Sequence, residues 1–299
     1  MGAQVTTRSA VQATSTFYQA SPGIRAFRMG LAAAERMWPA LAVRMATRLF
    51  LTPLPPKWLH RRGSWQKDWR AESWPFEDAS VTVYSPVVAP HAPVVLLVHG
   101  WGGHAAQMLP LAESIAAQGL RPVLLEMPAH GASRGGASTL PQFARAIEYV
   151  VARLQQQGFV VRALVAHSLG ATASAFVTAR GLPVQRVVLI APAASPPEYT
   201  RLFAQVFGLS EGTRAAMQRR IEAREGILMP QFEPAAVGSR IRVPTLVVHD
   251  RGDSINRFPD GQAYAQAIRE SKLSATEGLG HRKILKDAGV IGEVAIFVA

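Results

Sequence analysis

The stretch Ala166–Gly170, with the sequence AHSLG, follows the apolar run Val160–Val165 and precedes the small residues Ala171–Ala175. This pattern predicts a buried strand, a tight turn with Ser168 at its apex, and then a helix. A sharp turn of this kind lifts the serine hydroxyl clear of the sheet. It also crowds the residues two before and two after the serine, so both must be small. Alanine stands where the pattern G-x-S-x-G usually begins, and it meets that size requirement.

A second, glycine-rich turn that could bind a ligand through its backbone lies N-terminal to the Ser168 turn. The apolar run Pro93–Val98 predicts a buried parallel strand, and the glycine-rich sequence HGWGG at 99–103 follows it. Glycine-rich backbone leaves its N–H groups unobstructed. The N–H of Trp101 and the N–H of Leu169, at a helix N-terminus, are therefore candidate donors to an oxyanion. A phosphate site is disfavoured because neither G-x-G-x-x-G nor a P-loop lysine is present.

A serine before a helix can also be no more than an N-cap, so the other candidates decide the interpretation. The apolar run Val243–Val248 predicts a further buried strand, and HDRGD at 249–253 follows it. The sequence GLGH at 278–281 follows a short, weak strand pattern at Leu273–Thr276. Each candidate comes after a predicted strand, which is the edge where open α/β sheets bind ligands. The order Ser, Asp, His is the order of the α/β-hydrolase triad.

With these motifs the chain resembles the α/β-hydrolase superfamily over about residues 80–299, and specifically the small bacterial-type hydrolases with an H-G-W/F-G turn. The sequence EMPAHGAS at 126–133 is similar to that family's D-x-P-G-H-G-x-S loop, with Glu126 for Asp and Ala129 for Gly. The sequence at 249–253 is similar to the family's H-G-x-x-D segment.

The resemblance implies that Ser168 is the nucleophile, His281 the general base and Asp253 the acid that orients it. Asp250 stands where the family has a glycine, so two carboxylates compete for the role of the acid. We favour Asp253, with Asp250 as the alternative. The sequence thus predicts a serine hydrolase that cleaves carboxylic esters of a small-molecule acyl substrate through an acyl-enzyme.

Two other classes of function stay open. Hydrolysis of a thioester, an amide or a C–C bond would use the same triad. A non-catalytic or membrane-surface binding protein could keep the fold. No cofactor is expected, and no metal, because the chain lacks cysteine and no two histidines have the i, i+4 spacing of a helical metal site. We expect His167 and His99 to serve packing or loop hydrogen bonds.

The alternation of apolar strands with helical stretches predicts a mostly parallel central sheet flanked by helices. A helical insertion is expected at about 195–240, with helices at Glu198–Phe207 and Thr213–Arg224. By the resemblance, a lid inserted here covers the site and sets substrate choice. Candidate substrate contacts are its apolar residues, which could equally hold the lid in place: Tyr199, Phe203 and Met229.

Residues 1–70 are predicted to form a basic helical arm, and residues 71–299 the catalytic domain. Eleven basic and two acidic residues give the arm +9 of the formal net charge of +12. One helical face of the arm is apolar and is expected to pack on the catalytic body. Peripheral contact with a membrane is the alternative. The apolar face consists of Ile24, Phe27, Leu31, Ala34 and Trp38.

The composition also limits which partners and which cellular location we expect. No nucleic acid is expected, since the chain outside the arm is nearly neutral and contains no nucleic-acid-binding motif. The absence of cysteine, of an 18-residue uncharged apolar run and of a signal-peptide pattern predicts a cytoplasmic protein.

Overall fold

The computed structural model describes residues 22–54, 68–87 and 92–299, with side chains from residue 28 onward. Its internal contacts divide the chain into two units. The helical unit contains the described residues up to Leu51 together with Ser195–Gln231. The sheet unit contains Thr52–Ala194 and Phe232–Ala299. In this division the insertion after β6 groups with the N-terminal helices.

In the described part of the chain, the sheet has eight strands in the order β1-β2-β4-β3-β5-β6-β7-β8. Strand β1 pairs antiparallel with β2, and β2 with β4, whereas all other neighbours are parallel. The strands are β1 (Trp69–Phe76), β2 (Ala79–Pro86), β3 (Val94–Val98), β4 (Arg121–Glu126), β5 (Val161–His167), β6 (Arg186–Ile190), β7 (Thr245–Asp250) and β8 (Ser271–Thr276). This arrangement confirms the predicted mostly parallel α/β sheet.

The helices of the described residues are α1 (Pro22–Met37), α2 (Pro39–Phe50), α3 (Leu109–Ala117), α4 (Leu140–Gln156), α5 (Leu169–Ala179), α6 (Pro196–Phe207), α7 (Glu211–Glu225), α8 (Pro234–Val237), α9 (Phe258–Ala267), α10 (Gly280–Lys283) and α11 (Ala288–Val298). Short 3₁₀ turns occupy Ala105–Met108, Met229–Phe232, Gly238–Arg240 and Ile284–Lys286. Within the ranges that the structure describes, no helix has both the length and the apolar character to cross a membrane.

The core of the sheet unit explains why the central strands are apolar throughout. Every residue of β3 is buried, because parallel strands carry helices on their faces. Leu97 lies in one cluster with Leu111 and Ile115 of α3 and with Val294 and Val298 of α11. Helix α4 packs against α5. The helices thus cover the faces of the sheet, and the loops that follow the parallel strands lie together at its carboxyl edge.

The helical unit is held by a small apolar cluster of its own. Leu31 and Ala34 of α1 are buried there, and Phe207 and Leu209 of the insertion pack against them. Glu35 accepts hydrogen bonds from the N–H (3.0 Å) and the hydroxyl (3.1 Å) of Ser210.

The predicted apolar face of the arm is therefore only partly buried. Leu31 and Ala34 lie in the cluster, whereas Trp38 is exposed. The side chains of Ile24 and Phe27 lie outside the description. Packing of the arm on the catalytic body stays a prediction.

Candidate active site

Ser168 lies between β5 and α5 in a strained backbone conformation. Its φ is 55° and its ψ is −125°, a region that non-glycine residues rarely adopt. The neighbouring chain is very close. A Cβ added to Gly170 would collide with the carbonyl oxygen of His99, and one added to Gly100 would lie 2.7 Å from the Ser168 Cβ. These approaches show why both positions are glycine, and they place the 99–103 turn beside the serine.

Three predicted residues from distant parts of the chain form one hydrogen-bonded series. The Nε2 of His281 lies 3.0 Å from the Ser168 Oγ, and its Nδ1 lies 2.7 Å from the Asp253 Oδ2. Ser168 follows β5, Asp253 follows β7, and His281 lies in the short helix α10 that follows β8. The parallel order of these strands brings the three loops together.

Asp253 is buried and remains a carboxylate. Its Oδ1 accepts the backbone N–H of Ile255 (2.8 Å) and of Asn256 (3.1 Å). Burial by itself would raise the pKa of Asp253, but hydrogen bonding from His249 and from His281 outweighs it, so the pKa lies below its ordinary value. The site thus presents a fixed negative charge to the Nδ1 side of His281.

Asp250, the alternative candidate for the acid, makes its hydrogen bonds to groups other than the His281 ring. Its carboxylate accepts the Thr276 hydroxyl (2.8 Å), the Leu279 N–H (3.0 Å) and the Gly252 N–H (2.9 Å). Both ring nitrogens of His281 are taken by the serine and by Asp253. Asp250 therefore fixes the segment before His281.

The two proposed oxyanion donors belong to the chain around Ser168. Leu169 is the first residue of α5, where N–H groups have no acceptor inside the helix. Trp101 lies in the 99–103 turn, and His130 fixes this turn. The His130 Nε2 accepts the Gly102 N–H at 3.1 Å, and its Nδ1 donates to the Pro128 carbonyl at 2.9 Å.

His99 also holds the 99–103 turn, through hydrogen bonds at both ring nitrogens. Its Nδ1 lies 2.7 Å from the Gly100 carbonyl, and its Nε2 accepts the Met127 N–H at 3.1 Å. Burial, and then the neighbouring His130, lower the pKa of His99 well below its ordinary value. A neutral ring matches the required pattern of one donor and one acceptor.

His167 contacts the backbone of the residue that would act as base. Its Nε2 lies 2.9 Å from the His281 carbonyl oxygen, and the ring centroids are 4.6 Å apart. Burial, and then the nearby His281, lower the pKa of His167 to about 3. A neutral His167 therefore donates this hydrogen bond and fixes the position of His281.

Asn256 was missed by the sequence analysis, and no motif marks it beyond its place three residues after Asp253. The side chain is buried. Its Nδ2 donates to the Ala191 carbonyl at 2.7 Å and lies 3.4 Å from the Ser168 Oγ. Its backbone oxygen lies 3.0 Å from the Nε2 of His249. Asn256 thus joins the loop that contains Asp253 to the turn at Ser168.

The predicted substrate contacts all lie in the helical unit. Phe203 on α6 packs its ring against Phe50 (5.1 Å between centroids) and Phe207 (4.6 Å). Tyr199 and Met229 are half-buried. Their role in substrate binding stays a prediction, because the three residues belong to a different unit from Ser168.

The fold and the family comparison agree on the class of protein. The model of the hydrolase family described as serine aminopeptidase, S33, matches residues 89–231. This segment therefore resembles the α/β hydrolases, and the sheet has the α/β-hydrolase fold that the sequence motifs predicted. No curated relative matches it.

Similar solved structures carry several activities in their names. Est1E from Butyrivibrio proteoclasticus is 19% identical with a TM-score of 0.60, covering 76% of this chain and 96% of its own. The thioesterase domain from the curacin biosynthetic pathway is 19% identical with a TM-score of 0.54, covering 77% and 99%. A membrane phospholipase A described as a bacterial virulence factor is 17% identical with a TM-score of 0.57, covering 90% and 94%. At these identities the likeness establishes the fold.

Proposed function

We propose that this protein is a serine hydrolase that cleaves carboxylic esters through a Ser168–His281–Asp253 triad. The observation that carries the proposal is the hydrogen-bonded series of these side chains, with the serine at a strained, positive-φ turn. Such strain is retained where the surrounding structure enforces it, and it clusters at functional sites. The names of the esterase, thioesterase and phospholipase neighbours all point to acyl chemistry.

In the first half-reaction, the Nε2 of His281 takes the Ser168 proton as the Oγ attacks the acyl carbonyl carbon. The Asp253 carboxylate accepts the Nδ1–H of His281, which keeps Nε2 free as the base and stabilises the imidazolium. The negative charge on the former carbonyl oxygen is held by the N–H groups of Leu169 and Trp101. The imidazolium then protonates the departing alcohol.

In the second half-reaction, water replaces the alcohol. His281 removes a proton from that water as it attacks the acyl-enzyme carbonyl. Collapse of the second tetrahedral intermediate returns the proton to the Ser168 Oγ and releases the carboxylic acid.

The test combines active-site labelling with an acyl-chain series. A fluorophosphonate probe should label the wild-type protein on Ser168, and p-nitrophenyl esters should be hydrolysed with a preferred chain length. Ser168→Ala should lose labelling and retain at most a rate on the order of 10³-fold above water. The matched control is Ser174→Ala, a buried serine on α5, which should label normally.

Normal turnover by Ser168→Ala would overturn the proposal. A matched ester and thioester with the same acyl group should be compared in the same assay. Faster turnover of the thioester would assign the thioesterase activity instead, with the triad unchanged.

A further inference from the structure

The outer surface of the two N-terminal helices concentrates exposed apolar side chains. Among the described residues, five of the eleven large apolar side chains that are exposed fall between residues 29 and 45. Their exposure ranges from 39% to 75%. Single exposed apolar residues need no explanation, but a contiguous group marks an interaction site. The five are Met29, Met37, Trp38, Leu41 and Met45.

These side chains form two stripes that meet at a corner. On α1, Met29, the exposed Ala33 and Met37 follow one another at intervals of four residues, so they lie along the same side of the helix. Trp38 separates α1 from α2, and Leu41 and Met45 continue along one side of α2 at spacings of three and four. The stripes join where Met37 and Trp38 follow one another.

The buried residues of these two helices are not the residues of the apolar stripes. Leu31 and Ala34 of α1 and Ala42 of α2 form the cluster within the helical unit, against Phe207 and Leu209. The apolar stripes are thus additional to the face that holds the unit together. We call Met29, Met37, Trp38, Leu41 and Met45, with the arginines beside them, the outer face.

The charge on the outer face is positive. Arg36 adjoins Met37, Arg44 adjoins Met45, and both arginines are exposed. Among the described residues of α1 and α2, Glu35 is the one acidic side chain. Its carboxylate already accepts hydrogen bonds from Ser210 of the insertion. An exposed tryptophan with methionine and leucine, flanked by arginine, is suited to the boundary between anionic headgroups and acyl chains.

We propose that the outer face docks the helical unit on an anionic lipid surface. Charge argues against a second copy of the chain as the occupant. A two-fold pair of outer faces would bring Arg36 and Arg44 of one copy near those of the other, with Glu35 already engaged. An anionic membrane provides both the apolar layer and the opposite charge.

The test is co-sedimentation of the full chain with vesicles. Vesicles of phosphatidylcholine with phosphatidylglycerol should bind the protein at low salt and release it at high salt, and phosphatidylcholine alone should not bind it. Arg36→Gln with Arg44→Gln should weaken binding about fivefold for each arginine. Trp38→Ser with Leu41→Ser should weaken it by at least about tenfold.

Matched controls lie in the sheet unit. Arg242→Gln with Arg269→Gln removes the same charge from exposed positions, and Val160→Ser with Ile296→Ser removes exposed apolar side chains. Both pairs should bind as the wild type does. The thermal transition should be unchanged in all variants, and Met29→Ser with Met37→Ser provides a second test of the apolar stripes.

Three results would overturn the proposal. The first is wild-type protein that stays in solution with anionic vesicles at low salt. The second is equal loss of binding in the control arginine pair, which would assign binding to diffuse charge. The third is a dimer in sedimentation equilibrium that Trp38→Ser with Leu41→Ser dissociates while vesicles fail to bind, which would assign the outer face to self-association.

Discussion

Ser168 has a positive φ, and several neighbouring groups hold it in that conformation. Its N–H donates to the Ile190 carbonyl at 2.9 Å, and its side chain lies between His281 and Asn256. Gly100 and Gly170 allow the adjacent chains to approach. These contacts with β6 and the 99–103 turn hold the strained turn in place, with the Ser168 Oγ 3.0 Å from the His281 Nε2.

The choice between two carboxylates is testable at this scale. Asp253→Asn should lower kcat by about 10⁴-fold, since an amide cannot hold the His281 tautomer that leaves Nε2 free. Asp250→Asn should mainly lower the melting temperature, because Asp250 binds Thr276 and Leu279 rather than the ring. Ester turnover and thermal unfolding of both variants provide the measurement. A larger loss of kcat in Asp250→Asn at equal stability would contradict the assignment.

Asn256 supplies a second residue-scale prediction. Asn256→Leu keeps the number and branching of the side-chain heavy atoms but removes the Nδ2 donor that lies 3.4 Å from the Ser168 Oγ and 2.7 Å from the Ala191 carbonyl. We expect kcat to fall by about tenfold with little change in KM, the effect of roughly one hydrogen bond. The rate of fluorophosphonate labelling should fall in parallel. Ile255→Ala, an exposed neighbour in the same loop, is the control, and an equal effect there would attribute the loss to the loop alone.

At the scale of elements, the N-terminal helices and the insertion depend on each other. The arm was predicted to bury its apolar face, and part of that face is buried against Phe207 and Leu209. The edge-to-face contact of Phe50 with Phe203 adds to the same packing. A segment at the start of the chain therefore shares its core with one that begins at Ser195.

Leu31→Ala should destabilise this helical unit. Truncating a fully buried leucine costs about 2–5 kcal/mol, and Leu31 is 1% exposed. Hydrogen exchange and limited proteolysis should show faster opening of α1, α6 and α7, with the strands of the sheet unit protected as before. Met29→Ala on the exposed side of the same helix is the control. Uniform loss of protection across the sheet would mean that the two units unfold together.

At the scale of the whole molecule, the buried neutral His167 makes the free energy of unfolding depend on pH. Its pKa is about 3 in the folded protein against an ordinary 6.5, so between these values the unfolded chain binds a proton that the folded chain does not. Stability therefore rises with pH through this window and is lost as the pH falls, by about 1.4 kcal/mol per unit for one group.

His167→Gln should remove this contribution. Urea unfolding of wild type and variant should show a shallower loss of stability below about pH 6.5 in the variant. Measurements above about pH 7, where His167 is neutral in both states, give the reference difference. His99 shifts in the same direction and remains in both proteins. An unchanged slope would mean that His167 is not held neutral by the fold.

The sequence by itself determined the fold class, the parallel strands and the candidates Ser168, Asp253 and His281, because buried strands and the turns after them have strong local patterns. The tertiary structure decided which carboxylate meets His281, since Asp250 ends β7 and bonds the Leu279 N–H, whereas Asp253 lies in the following loop beside the ring. It also decided the contacts of Asn256 and of Leu31. These pairings join residues far apart in the chain, and hydrophobic periodicity specifies which face is buried but not its partner.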